Sequence, residues 1–96
     1  MKPHLLMIED DTRLADMVGA YLRQSGFAFE HACDAGSGLA RLQGVPAAPW
    51  PDLVILDLML PDLDGLEVCR RIRALPGAAG QLAILMPTAK GDPMDR

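Results

Sequence analysis

The sequence predicts an open α/β fold built on a short parallel sheet, on three observations. Leu5-Leu6-Met7-Ile8, Leu53-Val54-Ile55-Leu56 and Leu82-Ala83-Ile84-Leu85-Met86 are short apolar runs, the pattern of strands buried on both faces. The segments between them carry apolar residues at helical spacing, as crossover connections do. Each run also stops at polar residues: the first at Glu9-Asp10, the second at Asp57, the third at Pro87-Thr88. Parallel neighbours place their carboxyl ends on one edge of the sheet, where the ligands of open α/β folds gather. Asp10, Asp57 and Thr88 are therefore expected to converge, with Glu9 and Asp11 close by. One Asp after one strand ordinarily just begins a loop; the recurrence makes these residues candidates.

The chain has 96 residues, enough for a single domain over 1–96. Half the residues are hydrophobic and only 4% aromatic, so the core is aliphatic. A net charge of −4 argues against direct binding to nucleic acid or an anionic membrane. The carboxylates count more readily toward a metal site. The first nine residues leave no room for a signal peptide, and no apolar run reaches membrane-spanning length, so a cytoplasmic location is expected. Cys33 and Cys69 fit no metal-ligand spacing and read as reduced thiols, Cys69 half-buried on a helix.

After the first strand, Asp11 or Thr12 can cap a helix with Leu14, Met17, Val18, Tyr21 and Leu22 on one face. Gly26 ends it as a left-handed cap. Phe27 to Ala32 suits an edge strand, on which His31 is expected to be solvated. Asp34 can cap a second helix through Leu39 and Leu42. Gly44 to Pro51, with three prolines, is a loop into the central strand, and Trp50 lies at its amino end, away from the carboxylates. Asp64 and Glu67 have capping-box spacing; the helix they open carries Leu66, Cys69, Ile72 and Arg73 along it. Its arginines, Arg70, Arg71 and Arg73, read as a solvated basic face. Pro76 to Gly80 is a flexible turn into the last strand. Gly91-Asp92-Pro93 announces one more helix, yet three residues follow, which suggests that the chain stops inside an element.

Clustered carboxylates raise at least one pKa unless a cation neutralises them. Oxygen ligands at that density suit Mg2+, which needs only one or two protein carboxylates beside waters and phosphate oxygens. A carboxylate beside such an ion can attack a phosphoryl group, and a threonine hydroxyl can donate to a phosphoryl oxygen.

Glu9-Asp10, the stretch from Pro51 through Asp57 to Gly65, and Thr88-Ala89-Lys90 closely resemble the receiver domain of bacterial two-component response regulators. The likeness runs from Lys2 to Arg96, and its style is that of regulators with a winged-helix DNA-binding output domain. It implies a flavodoxin-like sheet of order 2-1-3-4, with the family's fifth strand and last helix missing. It further implies Asp57 as phosphoacceptor, Asp10 as Mg2+ ligand, Glu9 supporting through water, the Met59 backbone carbonyl as a further ligand, and Thr88 as switch hydroxyl. The phosphodonor would be a sensor histidine kinase, and DNA would be reached only through an output domain absent from this chain. The family's fifth-strand lysine would lie beyond Arg96, and Lys90, on a loop, is expected to point to solvent rather than replace it. Pro87 departs from the family's usual apolar residue, so strand pairing is expected to end at Met86.

Three classes of function follow. The first is a phosphoacceptor module. The second is a structural fragment, dimerising or domain-swapped through the hydrophobic fourth strand or an uncovered sheet face, without switching. The third is an aspartyl-phosphate enzyme; it would want an acid where Met59 stands, so no enzyme is expected.

Overall fold

The computed structural model describes residues 2–43, 51–57 and 60–86. Trp50, Met59, Thr88, Lys90, the Met86-Pro87 junction and the helix start after Gly91 were all given expectations that lie outside these residues or run beyond them. In chain order the elements are β1 (His4–Ile8), α1 (Thr12–Gln24), β2 (Ala28–Ala32), α2 (Ala35–Gln43), β3 (Leu53–Leu56), α3 (Gly65–Arg73), a 3-10 turn (Gly77–Gln81) and β4 (Ala83–Leu85). All strand pairs are parallel, in the order β2-β1-β3-β4. The expected sheet is present, with β2 and β4 at its edges. β4 is shorter than the run Leu82–Met86, and the expected flexible turn before it is a 3-10 turn.

Strand alternation divides the core. Leu6 and Ile8 on β1, Val54 and Leu56 on β3 and Ala32 on β2 turn to one face, where Leu39 and Leu42 of α2 and Val68 and Ile72 of α3 close over them. Gly38 makes the α2 contact possible, because a Cβ there would lie 2.5 Å from Ile8 Cδ1. On the other face α1 packs over β2, with Ala15 and Gly19 against the sheet and Phe29 beneath Gly19.

Each helix start has its own cap. Asp11 Oδ1 accepts from Leu14 N–H at 3.1 Å, Asp34 Oδ1 from Ser37 N–H at 2.7 Å, and Asp64 Oδ1 from Leu66 N–H at 2.8 Å. Gly26, just beyond α1, takes φ +98°, the left-handed conformation expected of it.

Several local expectations are corrected. Leu14, Met17 and Tyr21 are exposed, because α1 turns its small residues rather than its large ones to the sheet. α3 buries Gly65, Val68 and Ile72 and leaves Leu66 57% exposed. Glu67 does not reach back to the cap; it accepts from Arg70 and Arg71, both at 2.9 Å. Arg73 is not simply solvated, since it donates to the carbonyls of Gly80 at 3.2 Å and Leu82 at 2.6 Å, pinning the approach to β4. Cys33 and Cys69 are free thiols, Cys69 half-buried.

Candidate functional site

The sheet ladder aligns the carboxyl ends of β1 and β3. Asp57 N–H donates to Ile8 O at 3.1 Å, and Glu9 N–H donates to Ala32 O at 3.0 Å, so Glu9 and Asp57 leave the sheet at one level. Register carries this through, Ile8 facing Leu56 on one side and Ala32 on the other. The consequence is a carboxylate cluster. Glu9, Asp10 and Asp57 each bring a carboxylate oxygen within 4.8 Å of the others.

The three groups sit in different surroundings. Glu9 is buried, Asp57 half-buried and Asp10 exposed. Burial pushes the Glu9 carboxyl above its ordinary value, and the charges of Asp57 and Asp10 and a hydrogen bond with Asp57 add to the push. The Asp11 N–H, donating to Glu9 Oε2 at 3.1 Å, opposes it. Such crowding of carboxylate oxygens suits a hard divalent cation, since three carboxylates on adjacent strand ends can supply oxygen ligands. Asp11, expected close by, serves α1 as its cap rather than joining the cluster.

Two residues that spacing did not bring forward frame the cluster. His31, expected to be solvated, has Nε2 2.7 Å from Glu9 O. Asp62 Oδ1 and Oδ2 accept from Ala35 and Gly36 N–H, each at 2.9 Å, so the loop after β3 is tied to the start of α2. These amides hold the Asp62 carboxyl below the ordinary aspartate value. The only local signal for Asp62 is its place in a Pro-Asp turn; its partners lie 27 and 26 residues away.

Comparison with known proteins agrees with this geometry. Residues 5–96 match the response regulator receiver domain. The DNA-binding response regulator MtrA of Mycobacterium tuberculosis H37Rv is 41% identical over 95 residues, covering 99% of this chain and 38% of that protein. The DNA-binding dual master transcriptional regulator RpaA of Synechocystis is 37% identical over 94 residues, covering 98% of this chain and 37% of its own length. The chain thus spans under two fifths of the curated relatives it matches. Among solved structures, the N-terminal domain of a response regulator receiver protein from Methanoculleus marisnigri is 32% identical with a TM-score of 0.79, covering 91% of this chain and 67% of that one. The chemotaxis response regulator CheY4 of Vibrio cholerae is 26% identical with a TM-score of 0.82, covering 100% of this chain and 76% of that one. Among the described residues no helix is long and apolar enough to cross a membrane. With its strand order, its acidic strand ends and a match over residues 5–96, the chain belongs to the response regulator receiver domain family.

Proposed function

We propose that this chain is a phosphoacceptor module in which Asp57 takes a phosphoryl group from the phosphohistidine of a sensor kinase, with Mg2+ bound. The observation that carries the reading is the meeting of Glu9, Asp10 and Asp57 within 4.8 Å at the carboxyl edge of the sheet. In the transfer an Asp57 oxygen forms the new O–P bond while the N–P bond to the imidazole breaks, and the imidazole nitrogen keeps the electron pair. A bound divalent ion would supply charge neutralisation for the phosphoryl oxygens. Asp10 and Asp57 would hold it directly and Glu9 through water, with the Met59 carbonyl as a further ligand. Thr88 would donate to a phosphoryl oxygen, and the resulting change of state would be read by a DNA-binding output domain of the kind named in the longer relatives.

The test is the intact mass of the chain after incubation with Mg2+ and a small-molecule phosphoryl donor. One added phosphoryl group on the wild type and none on Asp57→Asn is expected. A folded wild type that stays unmodified would overturn the reading.

A second reading is favoured by the edge strand. Ala83-Ile84-Leu85 carries no charge, and Leu85 is 51% exposed. We infer that, in this reading, a second copy of the chain associates there, through β4 or the adjoining sheet face, and the chain serves as a dimerising or structural unit without phospho-switching.

A further inference from the structure

Asp10 is exposed, so packing does not set the direction of its carboxylate. What its backbone sets is the Cα–Cβ bond from which the carboxylate hangs, through three consecutive peptide planes that are each clamped by a different group. The plane between Ile8 and Glu9 is fixed by the Glu9 N–H donating to Ala32 O at 3.0 Å. The plane between Asp10 and Asp11 is fixed by the Asp11 N–H donating to Glu9 Oε2 at 3.1 Å. Between them, the carbonyl of the Glu9–Asp10 peptide meets His31 Nε2 at 2.7 Å, the shortest of the three. Fixing the planes on both sides of Asp10 fixes its φ and ψ, and with them the direction of its Cα–Cβ bond.

The clamp is reached from β2. His31 stands opposite Met7 in the ladder, and the chain leaves β2 after Ala32 for α2. A half-buried carbonyl beyond the last rung needs a donor. The imidazole supplies one from Nε2 as the imidazolium or as the neutral tautomer protonated there, so the contact does not require a charge.

We propose that His31 is a positioning residue of the carboxylate cluster: by donating to the Glu9 carbonyl it fixes the Glu9–Asp10 peptide and so presents the Asp10 side chain toward Asp57, with which it would hold a cation. This rests on the metal-dependent reading above. It assigns to the strand beside the cluster a part in cation affinity, distinct from the chemistry at Asp57.

The experiment is an amide-resolved NMR titration of the whole chain with MgCl2 and no phosphodonor, in wild type, His31→Phe, His31→Leu and His31→Gln. The two donor-less variants differ in bulk, and thermal melts confirm which of them is folded. Loss of the donor is expected to weaken Mg2+ binding about tenfold, the low end for groups that orient a metal ligand. Gln, which places an N–H near the position of Nε2, is expected to restore most of it. In the metal-free spectra the Asp10 amide, which senses hydrogen bonding at the preceding carbonyl, should move in Phe and Leu and return in Gln. Donor-less variants with wild-type affinity overturn the inference and leave the metal site standing. A loss that Gln does not repair also overturns it, because ring packing rather than donation would then be responsible. A wild type whose Asp10 amide follows the donor but which ignores Mg2+ refutes the metal-dependent reading itself and reduces His31 to a loop clamp.

Discussion

Glu30 and His31 are neighbours in sequence and serve opposite faces of β2. While His31 meets the Glu9 carbonyl, the Glu30 carboxylate takes Arg41 Nε at 2.6 Å and His4 Nε2 at 2.9 Å. Burial alone would raise the Glu30 carboxyl, but the hydrogen bonds and charges of Arg41 and His4 outweigh it and hold the group below its ordinary value of 4.5. A depressed carboxylate stabilises the fold above its unfolded pKa and loses that contribution as pH falls through its folded pKa. Glu30→Gln should therefore cost about 1–2 kcal/mol near neutral pH, with part of the acid sensitivity removed. Melting curves of both proteins from pH 7 to about pH 3 check this: the gap between them should narrow on acidification. None of these contacts was legible in the sequence, because the partners lie 11, 22 and 26 residues away, on other elements. Glu9, Asp10 and Asp57 were legible because the Glu9-Asp10 pair and Asp57 each close an apolar run that could only end at the sheet edge.

At the scale of elements, two glycines show how helix packing depends on what lies beneath. A Cβ on Gly38 would lie 2.5 Å from Ile8 Cδ1 and 2.8 Å from its Cγ1, and Ile8 is fully buried among the α2 and α3 side chains. A Cβ on Gly19 would meet Phe29 at 2.7 Å, but that ring is half-exposed on an edge strand and can turn aside. Replacing glycine inside a helix gains about 1 kcal/mol of propensity, whereas overpacking a filled core costs about 1–3 kcal/mol. Gly38→Ala is thus expected to lower stability in urea unfolding, and Gly19→Ala to leave it nearly unchanged or raise it. The same dependence explains which helix faces could be read. On α3 the sets Leu66, Cys69, Ile72 and Gly65, Val68, Ile72 both have helical spacing and share Ile72; the sheet chooses between them. On α1 the eye follows Leu14, Met17 and Tyr21, but close approach to β2 selects Ala15 and Gly19. Caps at Asp11, Asp34 and Asp64 were legible because a cap is satisfied within three residues of itself.

Across the whole molecule the two faces of the sheet differ. The face under α2 and α3 is closed by fully buried Leu6, Ile8, Val54, Leu56, Val68 and Ile72. On the α1 face cover runs out toward β4: Leu5 and Met7 are buried, Leu53 and Ile55 half-buried, Ala83 and Leu85 exposed. Exposed Leu14, Met17 and Tyr21 lie along α1 on the same side of the sheet. Under the second reading, this apolar slope ending at an uncharged edge strand is the surface that a second copy would cover. Light scattering should give a mass that grows with concentration above that of one chain, and Leu85→Lys should reduce it. A constant single-chain mass at high concentration would remove the second reading. Strand order was legible at this scale through the resemblance; the unequal cover of the two faces was not, because it follows from where each helix settles.

Asp62 joins two parts of the chain that the sheet keeps apart. Its carboxylate holds the first-turn amides of α2, which follows edge strand β2, while Asp62 itself follows β3, with β1 between the two strands. Asp62 and the start of α2 therefore form a buckle closed across the end of β1. Pulling on one side either drags the helix along or strips two amides of their acceptor. The loop that follows β3 and the helix that follows edge strand β2 are thus held to one another by a single side chain.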